Sequence, residues 1–334
     1  MQLSLLDLLH VSPGQTSYQA FQDTVTLSQH LEALGFARHW IVEHHGVDYE
    51  LNADPMLIAL ALASQTQRMR IGVGGILLNN YSPYKIAESV KTLSMIAPNR
   101  IDIGLGQSTS GSLQDLALQV DRAHKPAHDQ QDKIHELLGH LYSDLPTAHP
   151  FAALNVLPDV QPPLPWIMAV TANSAARAGA LGVPLALSAF HRPEEAVGAA
   201  QAYRQAFCPS GRPGLPTEPK IFLALRLITG ETQADAERNA MPMRWAYDQR
   251  RRLGQMPKQL PSIEQAIALC GGVWGAETSE WPMYVICPTH EMNARLHRMA
   301  QAVGADEVMV QDALPDPAMR LAHYQSLAEA VAKS

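Results

Sequence analysis

Eight short apolar runs, each followed by a longer amphipathic stretch, constrain this chain's fold more than any other feature it has. Runs of that length read as buried strands, and the stretches between them as helices with one apolar face. A βα unit repeated in series favours a parallel sheet with right-handed crossovers. Eight such units in 334 residues favour an α/β fold of the (β/α)8, or TIM barrel, type over an open, doubly wound sheet. Strands are expected at 3–8, 39–43, 69–75, 100–106, 166–170, 185–190, 221–228 and 306–310. Asp54 with Pro55, and Ser82 with Pro83, are cap-plus-proline helix starts, and Gly35 is a left-handed stop for a helix over 18–34.

One domain, 1–334, accommodates the whole pattern. An inserted excursion at about 107–165 carries one helix (127–142) and a proline-rich connector (145–165). A helix is expected over 232–247, while 249–282 fits no strand and is the candidate for a mobile lid. Apolar residues make up 46% and charged residues 17%, so a large core can be buried. No run reaches the ~20 apolar residues of a membrane span. The start lacks a basic segment and carries Asp7 within its apolar run, so no signal peptide is expected. Cys208, Cys270 and Cys287 are too scattered for a disulfide framework or a CxxC zinc site, which fits a reducing, cytoplasmic setting. A net charge of −7 argues against nucleic acid as the main partner and leaves small molecules.

In a barrel the functional face is the carboxyl end of the strands, and four strand ends here are unusual. The second carries Glu43, His44 and His45. Neighbours in extended chain point to opposite sides, so the two histidines do not easily share a metal, and no metal site is expected. Either one is a hydrogen-bonded barrel residue and the other surface, or one works as a proton donor and acceptor in the mouth. The third strand sheds side chains at Gly72, Gly74 and Gly75, through barrel packing or the close approach of something flat. The fourth is followed by Gln107, Ser108, Thr109 and Ser110, a glycine-flanked stretch suited to a phosphate but without the dinucleotide spacing. After the fifth come Thr171, Ala172, Asn173 and Ser174. Asn173 or Ser174 is the expected N-cap of a helix whose first N–H groups make either an anion site or an ordinary helix start.

Two other patterns carry no chemistry. In "HELLGH" (135–140) Gly139 stands where a zinc-binding helix needs its second histidine, and His140 is expected on a solvated face. His124 and His128 flank Pro126, which reads as loop.

With these strand ends in place, the chain resembles the bacterial luciferase-like flavin monooxygenases, in particular their short single-chain branch. "SLLDL", "LEALGFARHWIVEHH", "RMRIGVGGILLNNYSPYKIAESVKTLSMIAPNRIDIGLG", "PWIMAVTANSAARAGALGVPLALSAFHRP" and "ADEVMVQDALPDPAMRLAHYQSLAEAV" carry the likeness in order over nearly the whole chain. The resemblance implies a dimeric barrel binding FMN. The flavin arrives as FMNH2 from a separate flavin reductase and reacts with O2 through a C4a-(hydro)peroxyflavin to oxygenate a small organic substrate. It assigns His44, with Glu43 beside it, to catalysis. It assigns Gly74 and Gly75, a pair joined by a cis peptide in luciferase, to the turn under the flavin ring, and Thr171, Ala172 and Ser174 to its phosphate. Many relatives carry an arginine on that phosphate where this chain has Gln107, a loss on the order of 1–2 kcal/mol that Ser108, Thr109 or Ser110 would offset in part. A Ser-His-Phe segment of close relatives appears here as Ala189-Phe190-His191, and a late turn as "CPTHEM". These departures admit two further readings, a flavin-binding barrel without turnover and an F420-dependent oxidoreductase.

Overall fold

The computed structural model describes residues 1–106, 108, 111–118, 130–254, 256–312 and 314–332. The first half runs β1 (Gln2–Asp7), α1 (Ser17–Ala33), β2 (Arg38–Ile41), α2 (Pro55–Gln65), β3 (Arg70–Leu77), α3 (Pro83–Ile96) and β4 (Ile101–Gly106). The excursion holds α4 (Ser112–Leu118) and α5 (Gln130–Tyr142). Then follow β5 (Leu164–Ala169), α6 (Ala172–Ala180), β6 (Leu185–Ser188), α7 (Ala196–Ala206) and β7 (Ile221–Gly230). The chain continues with α8 (Gln233–Asn239), α9 (Met241–Leu253), α10 (Ile263–Cys270), β8 (Val285–Pro288), α11 (Thr289–Val303), β9 (Glu307–Gln311) and α12 (Pro317–Ala332).

Strands β1 to β7 and β9 pair in parallel, and β9 joins both β7 and β1, so eight strands close a TIM barrel. The helix starts at Asp54–Pro55 and Ser82–Pro83 form as expected, and Gly35 takes a left-handed φ of 81° after α1. Three details depart from the sequence reading. A ninth strand, β8, lies outside the ring and extends only the far end of β7, pairing Leu227–Gly230. The helix expected over 232–247 divides at Ala240, because Pro242 has no N–H to continue the ladder. The stretch 249–282 contains the end of α9 and all of α10, and is tied back where Arg244 donates to the Trp274 carbonyl and Ala276 N–H to Glu237.

Inside the ring, large and small residues alternate. Trp40, Trp166 and Phe222 form an aromatic floor, with ring centroids 4.6–6.2 Å apart. In register beside Trp40 stands Gly72, and beside Trp166 stands Gly104. A Cβ at Gly72 or Gly74 would run into the Trp40 indole. Below this floor Arg38 donates to Asp102 and, at 2.7 Å, to Glu307, while Arg70 and the Trp40 indole N–H also reach Asp102. Outside the ring, Arg320 of α12 lies between Asp7 and Asp312, and Asp7 also receives Nε2 of His39. The final helix is thereby keyed to β1 and β2. Among the described residues no helix is long and apolar enough to cross a membrane.

The packing of Trp40 against glycine yields a test. Gly72→Ala should destabilise the protein by about 1–3 kcal/mol, the cost of an extra methyl in a filled core. In a Trp40→Leu background the added cost should shrink to within about 0.5 kcal/mol. Urea unfolding of the four proteins in this cycle measures it, and strict additivity would show that Gly72 is not there for the indole.

Candidate active site at the barrel mouth

Because β2, β3, β4 and β5 are consecutive in the ring, their carboxyl ends form one arc of the mouth. Beyond Ile41 the chain turns out of the sheet, and Glu43 folds under the loop. Its carboxylate accepts the Leu77 N–H (2.9 Å), the Tyr81 hydroxyl (2.7 Å) and Nε2 of His45 (2.9 Å). A carboxylate engaged by three donors is a strut between β2 and the β3–α3 turn. The geometry therefore gives Glu43 a holding part.

His44 stands apart from that cluster. Its Nδ1 lies 2.6 Å from Oε2 of Glu50, and the side chain remains 39% exposed. An ionised carboxylate only accepts, so Nδ1 carries the proton and Nε2 is left as an acceptor bonded to no described group. Glu50 is buried, takes Nδ2 of Asn52 at 3.1 Å, and has Nε2 of His10 at 3.6 Å. Burial pushes the Glu50 carboxyl up, but the hydrogen bonds and charges of His10 and His44 outweigh it and bring the group down to about 2. Glu50 and His10 are neighbours of His44 in the structure that sequence reasoning missed. The signal was a carboxylate six residues past His44 in the same loop.

The Gly74–Gly75 peptide is cis. Gly74 is accounted for by Trp40, so the flat object against that residue is the protein's own indole. Gly75 differs. It is partly open, and a Cβ there would meet Met168 Sδ at 2.6 Å and the Gly106 N–H at 2.8 Å. Met168, inward on β5, is partly open as well, so the missing side chain of Gly75 is taken up by Met168 and the β4 backbone while its own backbone stays partly exposed. Ser108 is exposed at the end of β4, while Gln107, Thr109, Ser110, His124 and His128 lie outside the described residues.

The N-cap of α6 is Thr171, and neither Asn173 nor Ser174. Thr171 and Ser174 form a reciprocal capping box, with Thr171 Oγ1 accepting the Ser174 N–H at 3.3 Å and Ser174 Oγ accepting the Thr171 N–H at 3.3 Å. The box consumes both hydroxyls. What remains for an anion are the N–H groups of Ala172 and Asn173, which have no intrahelical acceptor and belong to exposed residues.

His140 also departs from expectation. It is buried on the inner side of α5, edge-on to Tyr84 with centroids 5.2 Å apart, and burial lowers its pKa. His135 is the exposed one. Among the described residues no group of three or more His, Cys, Asp or Glu side chains is gathered to hold a metal.

A partly exposed glycine, a helix start with free N–H groups and a carboxylate-anchored histidine thus lie on one arc of a parallel barrel. The family model described as luciferase-like monooxygenase matches residues 1–268. The chain belongs to that family. It is 34% identical over 241 residues to the N-acetyl-S-alkylcysteine monooxygenase of Bacillus subtilis (strain 168), covering 72% of this chain and 71% of that one. The crystal structure of apo-MsnO8 superposes with a TM-score of 0.86 at 30% identity over 98% of both chains. At the level of fold alone, the chain is similar to the oxygenating constituent of 3,6-diketocamphane monooxygenase of Pseudomonas putida in complex with FMN (TM-score 0.71, 18% identity, 100% and 98% covered). An F420-dependent secondary alcohol dehydrogenase shares the fold too (TM-score 0.67, 16% identity, 99% and 98% covered).

The anchoring of His44 has a pH signature. A carboxyl held below its unfolded value contributes stability above that value and loses it as pH falls through the folded one. For Glu50 the window runs from the ordinary 4.5 down to about 2. Glu50→Gln should therefore cost on the order of 1–3 kcal/mol at neutral pH. The gap to wild type should narrow as pH falls through that window. Urea denaturation at neutral and at acid pH measures it, and a gap that stays constant would refute the anchoring.

Proposed function

We propose that this protein is an FMN-dependent monooxygenase, taking FMNH2 from a separate flavin reductase and O2 from solution to oxygenate a small organic metabolite. The observation that carries the reading is the His44 Nε2, bonded to no described group, on the same arc of strand ends as the partly open Gly75 backbone and the start of α6. The residues fit the cofactor. A flat ring can lie along the partly open Gly75 backbone if the flexible Met168 side chain swings aside, and a phosphate tail needs N–H donors, which Ala172 and Asn173 supply. Thr171 and Ser174 hold that turn in shape rather than the phosphate itself.

When bound, reduced FMN supplies the two electrons and the activation of O2. One oxygen atom then enters the substrate and the other leaves as water, so protons must be delivered at the mouth. His44 does this at Nε2: it accepts a proton when neutral and donates it when charged, while Glu50 fixes the ring and stabilises the imidazolium. Glu43 keeps the loop in place through Leu77 and Tyr81. The relative that acts on N-acetyl-S-alkylcysteines supports a sulfur-bearing metabolite as one substrate class.

Titrating the protein with FMN, FMNH2 and F420 tests the cofactor, with FMNH2 expected to bind most tightly. Aerobic mixing with FMNH2 and a panel of thioethers, aldehydes and ketones, followed by mass spectrometry, should reveal a product one oxygen atom heavier. His44→Ala should keep flavin affinity within about threefold. The same variant should lower product formation by about 10²–10⁴-fold. Tight binding of F420 alone, or undiminished turnover in His44→Ala, would overturn the assignment.

A further inference from the structure

Arg226 lies inside the barrel on β7, in line with the inward residues Phe222, Ala224 and Ile228, and is 3% exposed. Its Nε donates to Oε1 of Gln311 on the adjacent strand at 2.9 Å. Three rings surround the guanidinium carbon: Tyr247 at 4.1 Å, Phe190 at 4.6 Å and Tyr284 at 5.4 Å from their centroids. The terminal nitrogens donate to no described group, yet they are not among the fully occluded orphan atoms, so they border accessible space. The other deeply buried arginines behave differently. Arg38 meets Asp102 and Glu307, and Arg320 meets Asp7 and Asp312.

A guanidinium stays charged at any pH a protein survives, and aromatic faces stabilise the charge without accepting its N–H groups in their plane. A cation taken this far out of water and given no carboxylate is costly unless an anion arrives to complete it. The field of the guanidinium is felt by a neighbour. His191, exposed on one face, is held below its ordinary pKa first by desolvation in the mouth and then by the charges of Arg226, Arg250 and His44. On β6 the Ser188 hydroxyl is buried without a partner, opposite Ala224, the inward residue next below Arg226.

We propose that Arg226 anchors a carboxylate of the organic substrate, with Phe190, Tyr247 and Tyr284 enclosing an apolar body, so that the substrates are small organic acids. A planar guanidinium matches a carboxylate through two parallel hydrogen bonds, which also fixes the direction in which the rest of the molecule points. The inference rests on reading the mouth as the substrate site of a monooxygenase. It can nonetheless be tested without flavin.

Calorimetric titration of the full-length protein with paired probes provides the test: phenylacetate and phenylacetamide, hexanoate and hexanamide, N-acetylmethionine and its amide. At least one acid should bind about tenfold or more tightly than its amide. Arg226→Met should abolish that preference while leaving amide affinity within about twofold, and Arg226→Lys, which keeps the charge, should retain part of it. Circular dichroism melts establish that each variant is folded, and the lysine variant carries the test if the methionine variant is not. The absence of any acid preference across the panel, or its survival in Arg226→Met, overturns the proposal. So does a loss of FMN affinity in Arg226→Met without an acid preference in wild type, which would give the arginine to the flavin. A wild type that ignores flavins but keeps an Arg226-dependent acid preference would sink the monooxygenase reading and leave this one standing.

Discussion

One side chain, the indole of Trp40, fills the middle of the barrel, and the backbones of β3 and β4 are pressed against it. Contact this close is possible only if the facing residues have no side chains, hence Gly72, Gly74 and Gly104. The consequence reaches the mouth. A strand that has shed its side chains to accommodate an indole below continues as side-chain-free backbone above, and at Gly75 that backbone is partly exposed beside Met168. The strand end at the mouth is thus continuous with the packing that closes the barrel. Met168, polarizable and unbranched, borders it and can adjust to what lies there.

The fold was legible because all-parallel barrels bury both faces of every strand, so each strand reads as a nearly continuous apolar run. Helix starts at Asp54–Pro55 and Ser82–Pro83 were legible for a local reason: cap and proline act within one turn. Strand β8 was not, because four residues ending in Pro288 carry no period. Thr171, Asn173 and Ser174 are all competent caps, and the choice fell to Thr171 because it alone has a partner three residues on that can return the bond. His140 was misjudged because turning it away from His135 was equated with turning it to water, when the helix's inner side lies there.

The site divides along the same line. His44 was legible as a proton-bearing group at a strand end, and its anchor was not, since Glu50 sits in a loop whose path no periodicity describes. Arg226 left a trace in the sequence: a charge in the middle of "IFLALRLI", at the parity of inward residues. Inside a barrel strand such a residue is either neutralised by another strand or waits for something that is not protein, and pattern alone does not distinguish the two.

The two ends of the barrel show both outcomes. Beneath the aromatic floor, Arg38 is met by Asp102 and Glu307, and burial, which favours its neutral form, is outweighed by those two carboxylates. That end is electrically closed and serves the fold. Above the floor Arg226 stays charged without a carboxylate among the described residues, and Glu43 and Glu50 are engaged in holding loops and orienting rings. A floor of three aromatic rings separates the two regions, so the carboxylates below cannot reach the guanidinium above. The charge of Arg226 is therefore a property of the site rather than of the chain, whose net charge is −7. A protein that is acidic overall and cationic at one enclosed point favours small anions there over large basic partners anywhere on its surface.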